Sequence, residues 1–147
     1  MLRLLPFLLS LLLGVPSALA QPVTSLADGG SGRLEFTSKT PRGPSDLVRR
    51  NAMPEAIIAG DLTLPPGGER VPAIVLMHGS GGILEGREHD WAARLNALGY
   101  ATFVVDSFTP RGLRTTAADQ TRLPTMANVA DALSALKLLA SHPRIDR

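Results

Sequence analysis

The sequence predicts a three-layer α/β sandwich with a mostly parallel sheet. Three observations carry that expectation. Two short apolar runs, Ala73 to Met77 (AIVLM) and Ala101 to Val105 (ATFVV), show no alternation with polar residues. Strands of that kind are buried on both faces, as in parallel sheets. Each run is followed by a segment with helical periodicity, giving the order strand, helix, strand, helix from residue 73 onward. Short βα units of this sort build parallel sheets with right-handed crossovers.

The elements follow from residue chemistry. Arg3 supplies a positive n-region and Leu4 to Val15 an apolar run, followed by Ala18-Leu19-Ala20. This is the pattern of a secretory signal peptide cleaved between Ala20 and Gln21. The apolar stretch falls short of the roughly 20 residues a membrane span needs, so contact with a membrane is expected only transiently, through the leader. The chain is expected to be exported, to the periplasm or the medium. Residues 21–55 are expected to form a mature N-terminal segment, partly disordered, because Gln21 to Gly32 is small, polar and glycine-rich. Within it Arg33 to Thr37 alternates as a short strand would, and Lys39 to Ser45 reads as loop. Residues 56–147 form the expected domain. Ala56 to Leu64 opens it as a strand, and Pro65-Pro66-Gly67-Gly68 turns the chain.

After the Ala73–Met77 strand and its glycine turn, Glu88 to Leu98 is expected to be helical. Trp91, Leu95 and Leu98 lie on one stripe, and Gly99 closes the helix as a C-cap. Asp106 ends the next strand, and Ser107 to Arg122 is a long polar loop. Pro124 starts a second helix. Its expected buried stripe is Met126, Val129, Leu133, Leu136 and Ala140, widened by Leu139, and His142-Pro143 stops it.

Composition removes several functions. The chain has no cysteine, hence neither a disulfide nor a thiol nucleophile among its 147 residues. The formal charge is +2 with scattered basic residues, and aromatics make up 4%. That is neither the basic stripe nor the stacking platform of a nucleic-acid binder.

Chemistry concentrates after the two apolar strands, at the ends where parallel sheets carry their sites. His78-Gly79-Ser80-Gly81-Gly82 could present backbone N–H groups to an oxyanion, as acyl transfer requires. The same residues also fit an ordinary glycine-rich βα turn. A dinucleotide loop would need glycine where Leu84 stands, although Asp106 mimics the ribose acid of such sites. Ser80 is not a G-x-S-x-G nucleophile, because His78 occupies the first glycine position. Its role is therefore read as a backbone one, and His78 is read as a hydrogen-bonding residue that fixes the loop. Asp106 reads as a turn cap. Arg111, in the loop after it, could hold a substrate carboxylate through both guanidinium nitrogens, or brace the loop. Glu85, Glu88, His89 and Asp90 lack metal-ligand spacing. They read as a solvated helix start, with acids favoured by the helix dipole.

Taken together, VPAIVLMHGSGG (71–82), WAARLNALGYATFVVDSFTPRG (91–112) and DALSALKLLASHPRIDR (131–147) resemble the dienelactone hydrolase family of the α/β-hydrolase superfamily. The resemblance covers residues 56–147 and implies an α/β-hydrolase-type sandwich truncated before its nucleophile strand. It implies hydrolysis of a small-molecule carboxylic ester or lactone by a serine lying beyond residue 147, with its acid and histidine, and no cofactor or metal. The Ser80 N–H would be an oxyanion donor, within the loop formed by His78, Gly79 and Gly81. Arg111 would bind a substrate carboxylate. A truncated inactive product and a non-catalytic binding module on the same fold are the alternatives.

Overall fold

The computed structural model describes residues 21–49 and 51–146; the expected signal peptide lies outside them. The order is β1 (Gly32–Lys39), α1 (Pro44–Val48), β2 (Glu55–Thr63), β3 (Ala73–Met77), α2 (Glu88–Ala97), β4 (Ala101–Asp106) and α3 (Thr125–Leu139). Single 3₁₀ turns at Thr109–Arg111 and Gln120–Arg122 break the loop between β4 and α3.

The sheet corrects the expected fold class. It is a small mixed sheet of four strands in the order β1-β2-β4-β3, not the mostly parallel sheet of a three-layer sandwich. β1 pairs antiparallel with β2, and β2 antiparallel with β4; the β3–β4 pair is parallel. The parallel reading holds for the one βαβ unit, β3–α2–β4, that suggested it. It fails for the half of the sheet built by β1 and β2. There β1 buries alternate residues, Leu34, Phe36 and Ser38. Such alternation belongs to an antiparallel strand with one face on the core and one toward water.

β4 and β3, alike in sequence, take different places in the sheet. All six residues of β4 are buried, and the strand is flanked on both sides. β3 was expected to be buried on both faces, yet all five of its residues are only partly buried and it lies at the sheet edge. An apolar run specifies burial but not how many neighbours a strand has. On the outer side of β3, among the described residues, only its approach is paired: Val71 N–H donates to Arg144 O and Asp146 N–H to Val71 O, each at 3.0 Å.

The helices keep close to their expected limits, but the faces they bury differ. Trp91 and Leu98 are exposed, whereas α2 buries Ala92 and Glu88. The Arg94 guanidinium lies 5.5 Å from the Trp91 ring centre, so the indole is covered by a cation instead of the core. On α3 most of the expected stripe faces outward, with Val129, Leu133 and Leu136 exposed; of that stripe Leu139 is buried. Ala127, Ala130, Asp131, Ala135, Leu138 and Leu139 face inward. Apolar residues occur on both sides of α3, so a 3.6-residue period fits two phases. The alanine-rich side wins because small residues let the helix approach the strands. Gly99 does close α2: its φ is +92°, and the N–H groups of Gly99 and Tyr100 return to Asn96 O and Leu95 O, a paired capping pattern that favours glycine.

The core lies between α3 and one face of the sheet. Phe36, Ile58, Leu62, Phe103, Val105, Leu138 and Leu139 cluster there, with the Phe36 and Phe103 ring centres 5.5 Å apart. Leu26 joins them from the segment expected to be mobile. That segment is tied down by Val23 N–H to Glu35 O at 2.7 Å and by Leu26 N–H to Ser141 Oγ at 2.8 Å.

Candidate functional site

β3 delivers His78 to the end of the sheet, and a buried Gly82 brings the chain back. Between them the peptide carbonyls are held one after another. Gly79 O accepts from His78 Nδ1 at 2.8 Å and from Gly82 N–H at 3.0 Å. Ser80 O accepts from Thr116 N–H at 2.8 Å and from the Thr115 hydroxyl at 2.9 Å. Gly82 O accepts from Arg87 Nη2 at 3.1 Å.

In a trans peptide the N–H points opposite the carbonyl of the preceding residue, and the chain has no cis peptide among its described residues. Anchoring Gly79 O therefore aims the Ser80 N–H away from its anchors, and anchoring Ser80 O does the same for the Gly81 N–H. Among the described residues neither N–H meets an acceptor. The result is two successive backbone donors with fixed directions and no internal partner.

His78 is itself an anchor. It is buried, and Nε2 accepts the Ser107 N–H at 3.1 Å while Nδ1 donates to Gly79 O. The Phe108 ring packs edge-on 4.3 Å from the imidazole. Both ring nitrogens are thus occupied in joining the end of β3 to the end of β4. Asp106 fixes the other side of that junction: its Oδ1 accepts from Phe108 and Thr109 N–H at 3.1 and 2.9 Å. Burial disfavours its charge, but those hydrogen bonds and the Arg33 guanidinium outweigh burial and hold the carboxyl below the usual Asp range.

Arg111 is not available to a substrate carboxylate. Its Nη1 and Nη2 grip Asp131 at 2.6 and 2.9 Å, and Nη1 also donates to Ser107 O at 2.8 Å. Asp131 is fully buried and also accepts from Ser38 Oγ at 2.5 Å. The bidentate partner expected from a ligand is thus supplied by the protein itself.

The acidic cluster also differs from its reading as a solvated helix start. Glu88 is buried; its carboxylate takes the Leu84 N–H at 2.9 Å and Arg87 Nε at 2.6 Å. Burial raises its proton affinity, while Arg87 and the Leu84 N–H lower it further, so the carboxyl sits below the usual Glu range. Glu88 and Arg87 together hold the loop from Gly82 to Leu84. Glu85, His89 and Asp90 are exposed, and His89 Nε2 lies 4.0 Å from Asp61 Oδ2. Among the described residues no three such side chains converge on a point that could hold a metal ion.

Four contributors were missed in the sequence: Thr115, Thr116, Arg87 and Asp131. Only Asp131 carried a signal, since a carboxylate among ALA-type neighbours on a helix calls for a buried partner. The threonines act through sequence-distant contacts that no spacing rule reveals. A cavity of about 680 Å³ lies away from this loop, between β2 and α2 past Asp61 and His89.

No family model matches the chain, and no curated protein does. Among solved structures it is similar to a chain described as m3DLH, at 22% identity and a TM-score of 0.48 over 78% of this chain. It is also similar to the hypothetical protein PA2218 from Pseudomonas aeruginosa, at 21% identity and a TM-score of 0.44 over 78% of this chain. The chain spans 46% and 34% of their respective lengths. No helix among the described residues is long and apolar enough to cross a membrane.

Proposed function

We propose that the chain is the oxyanion-binding part of an exported carboxylic ester or lactone hydrolase, with the serine nucleophile supplied from outside residues 21–146. The observation that carries this reading is the pair of unpartnered N–H groups at Ser80 and Gly81, with the carbonyls before and between them anchored. A tetrahedral acyl intermediate places a full negative charge on one oxygen. Donors that need no reorganisation stabilise it most effectively. The Ser80 side chain takes no part in the anchoring. Among the described residues no serine hydroxyl is hydrogen-bonded to a histidine, and His78 is occupied at both ring nitrogens.

The test is ester hydrolysis by the protein secreted from its own gene, with p-nitrophenyl butyrate as substrate. Ser80→Pro deletes one donor N–H and is expected to lower kcat by about 10²–10³-fold. Ser80→Ala keeps the N–H and is expected to leave kcat within about twofold of wild type. Equal losses in both variants would place the chemistry on the hydroxyl and sink the reading. Absence of turnover and of fluorophosphonate labelling in the secreted protein would favour a non-catalytic module instead.

Export is checked separately. The secreted protein is expected to begin at Gln21, and intact-mass measurement reads that terminus directly. A dominant species retaining Leu8 to Leu13 would point to a membrane anchor.

A further inference from the structure

Beside β1, α3 leaves an open cavity of about 520 Å³. Its size falls within the range of small-molecule sites. Leu47, Met53 and Leu133 give it an accessible apolar lining over the buried Phe36 and Leu138, and Lys39 and Lys137 also line it. No aspartate or glutamate lines it. Among the described residues neither lysine has a carboxylate within ion-pair distance. Ser134 stands one helical turn before Lys137, and its hydroxyl reaches only Ser38 Oγ, at 3.4 Å. That length leaves the hydroxyl proton available to a better acceptor. Leu133 is 54% exposed, so an apolar occupant would remove part of it from water.

We infer that this cavity binds an amphipathic anion, a single alkyl chain carrying a carboxylate. The chain lies along Leu47, Met53 and Leu133. The carboxylate is met by Lys39 and Lys137, with the Ser134 hydroxyl donating to it. The charge pattern selects this class. A neutral alkyl chain would leave two lysines beside an apolar ligand with no counter-charge, and an alkyl cation would be repelled by both. The site is separate from the Ser80 loop and does not depend on acyl transfer there.

The experiment is calorimetric titration of the full chain with decanoate, decan-1-ol and decyltrimethylammonium, each below its aggregation limit. Decanoate is expected to bind saturably and at least about tenfold more tightly than the alcohol, with no measurable binding of the cation. Lys39→Glu and Lys137→Glu are each expected to weaken decanoate by about tenfold or more while leaving the alcohol within about twofold. Both lysines are exposed, so neither change disturbs the core. Amide shifts on decanoate addition are expected to cluster at 36–39, 47–53 and 130–141. The inference is overturned by equal affinity for acid and alcohol, by charge-reversed variants that bind decanoate as wild type does, by shifts clustered elsewhere, or by no decanoate binding at all.

Discussion

Arg111→Ala is expected to destabilise the protein by about 3–5 kcal/mol, the cost of leaving a buried carboxylate without its partner. Asp131 is fully buried, and apart from the guanidinium its contact is the Ser38 hydroxyl. A single hydroxyl cannot replace a bidentate cation. A loss of that size is a large part of the roughly 5–15 kcal/mol that stabilises an ordinary domain. The measurement is urea unfolding of the full chain, wild type against variant. Arg111→Met combined with Asp131→Leu removes both charges together and is expected to recover most of the loss, because a buried pair replaced by apolar side chains is near neutral. If Arg111→Ala left the unfolding midpoint unchanged but weakened anionic esters selectively, the side chain would be a substrate ligand after all. The same pair organises the site, because Arg111 also donates to Ser107 O, one residue from Asp106 and bonded through its N–H to His78.

Gly82→Ala is expected to cost about 2–5 kcal/mol and to disorder the donor loop. Two effects add. Gly82 has a φ of +78°, a region where a Cβ costs about 1–2 kcal/mol. A Cβ there would also stand 2.6 Å from Arg114 O. That oxygen belongs to the backbone beside Thr115 and Thr116, so relief requires moving the segment that anchors Ser80 O. Overpacking of this kind adds about 1–3 kcal/mol. Gly79→Ala is the control: a Cβ there meets nothing within 4 Å, and a change below about 1 kcal/mol is expected. The readouts are unfolding midpoint and hydrogen exchange at the Thr116 amide, whose bond to Ser80 O should open faster in Gly82→Ala alone. Unaltered exchange at Thr116 in that variant would show that the two loops are not coupled as the geometry requires.

These two expectations rest on contacts that the sequence could suggest only in part. Gly82 was legible as a member of a glycine-rich turn, but the oxygen that forbids a side chain comes from Arg114, 32 positions later. Arg111 was legible as a guanidinium near the candidate site. Its partner lies 20 residues on, on a helix whose inward face was read in the wrong phase. With the stripe placed at Val129, Leu133 and Leu136, Asp131 pointed away from the core and had no use for an arginine.

What the sequence by itself determined is local. The limits of β3, the helical segment closed by Gly99, the Asp106 cap and the glycine loop after His78 follow from apolar runs and turn chemistry within a few residues of each position. Tertiary structure alone decided which strand is central, that β1 and β2 join antiparallel, which sides of α2 and α3 meet the sheet, and where Arg111 and Glu88 find their partners. The physical reason is that a residue's backbone preference depends on its own side chain and near neighbours, whereas strand order and helix phase depend on surfaces from distant segments being buried together. Ala73 to Met77 and Ala101 to Val105 are alike as apolar runs; only the arrival of β2 beside β4 makes one the centre of the sheet and leaves the other at its edge.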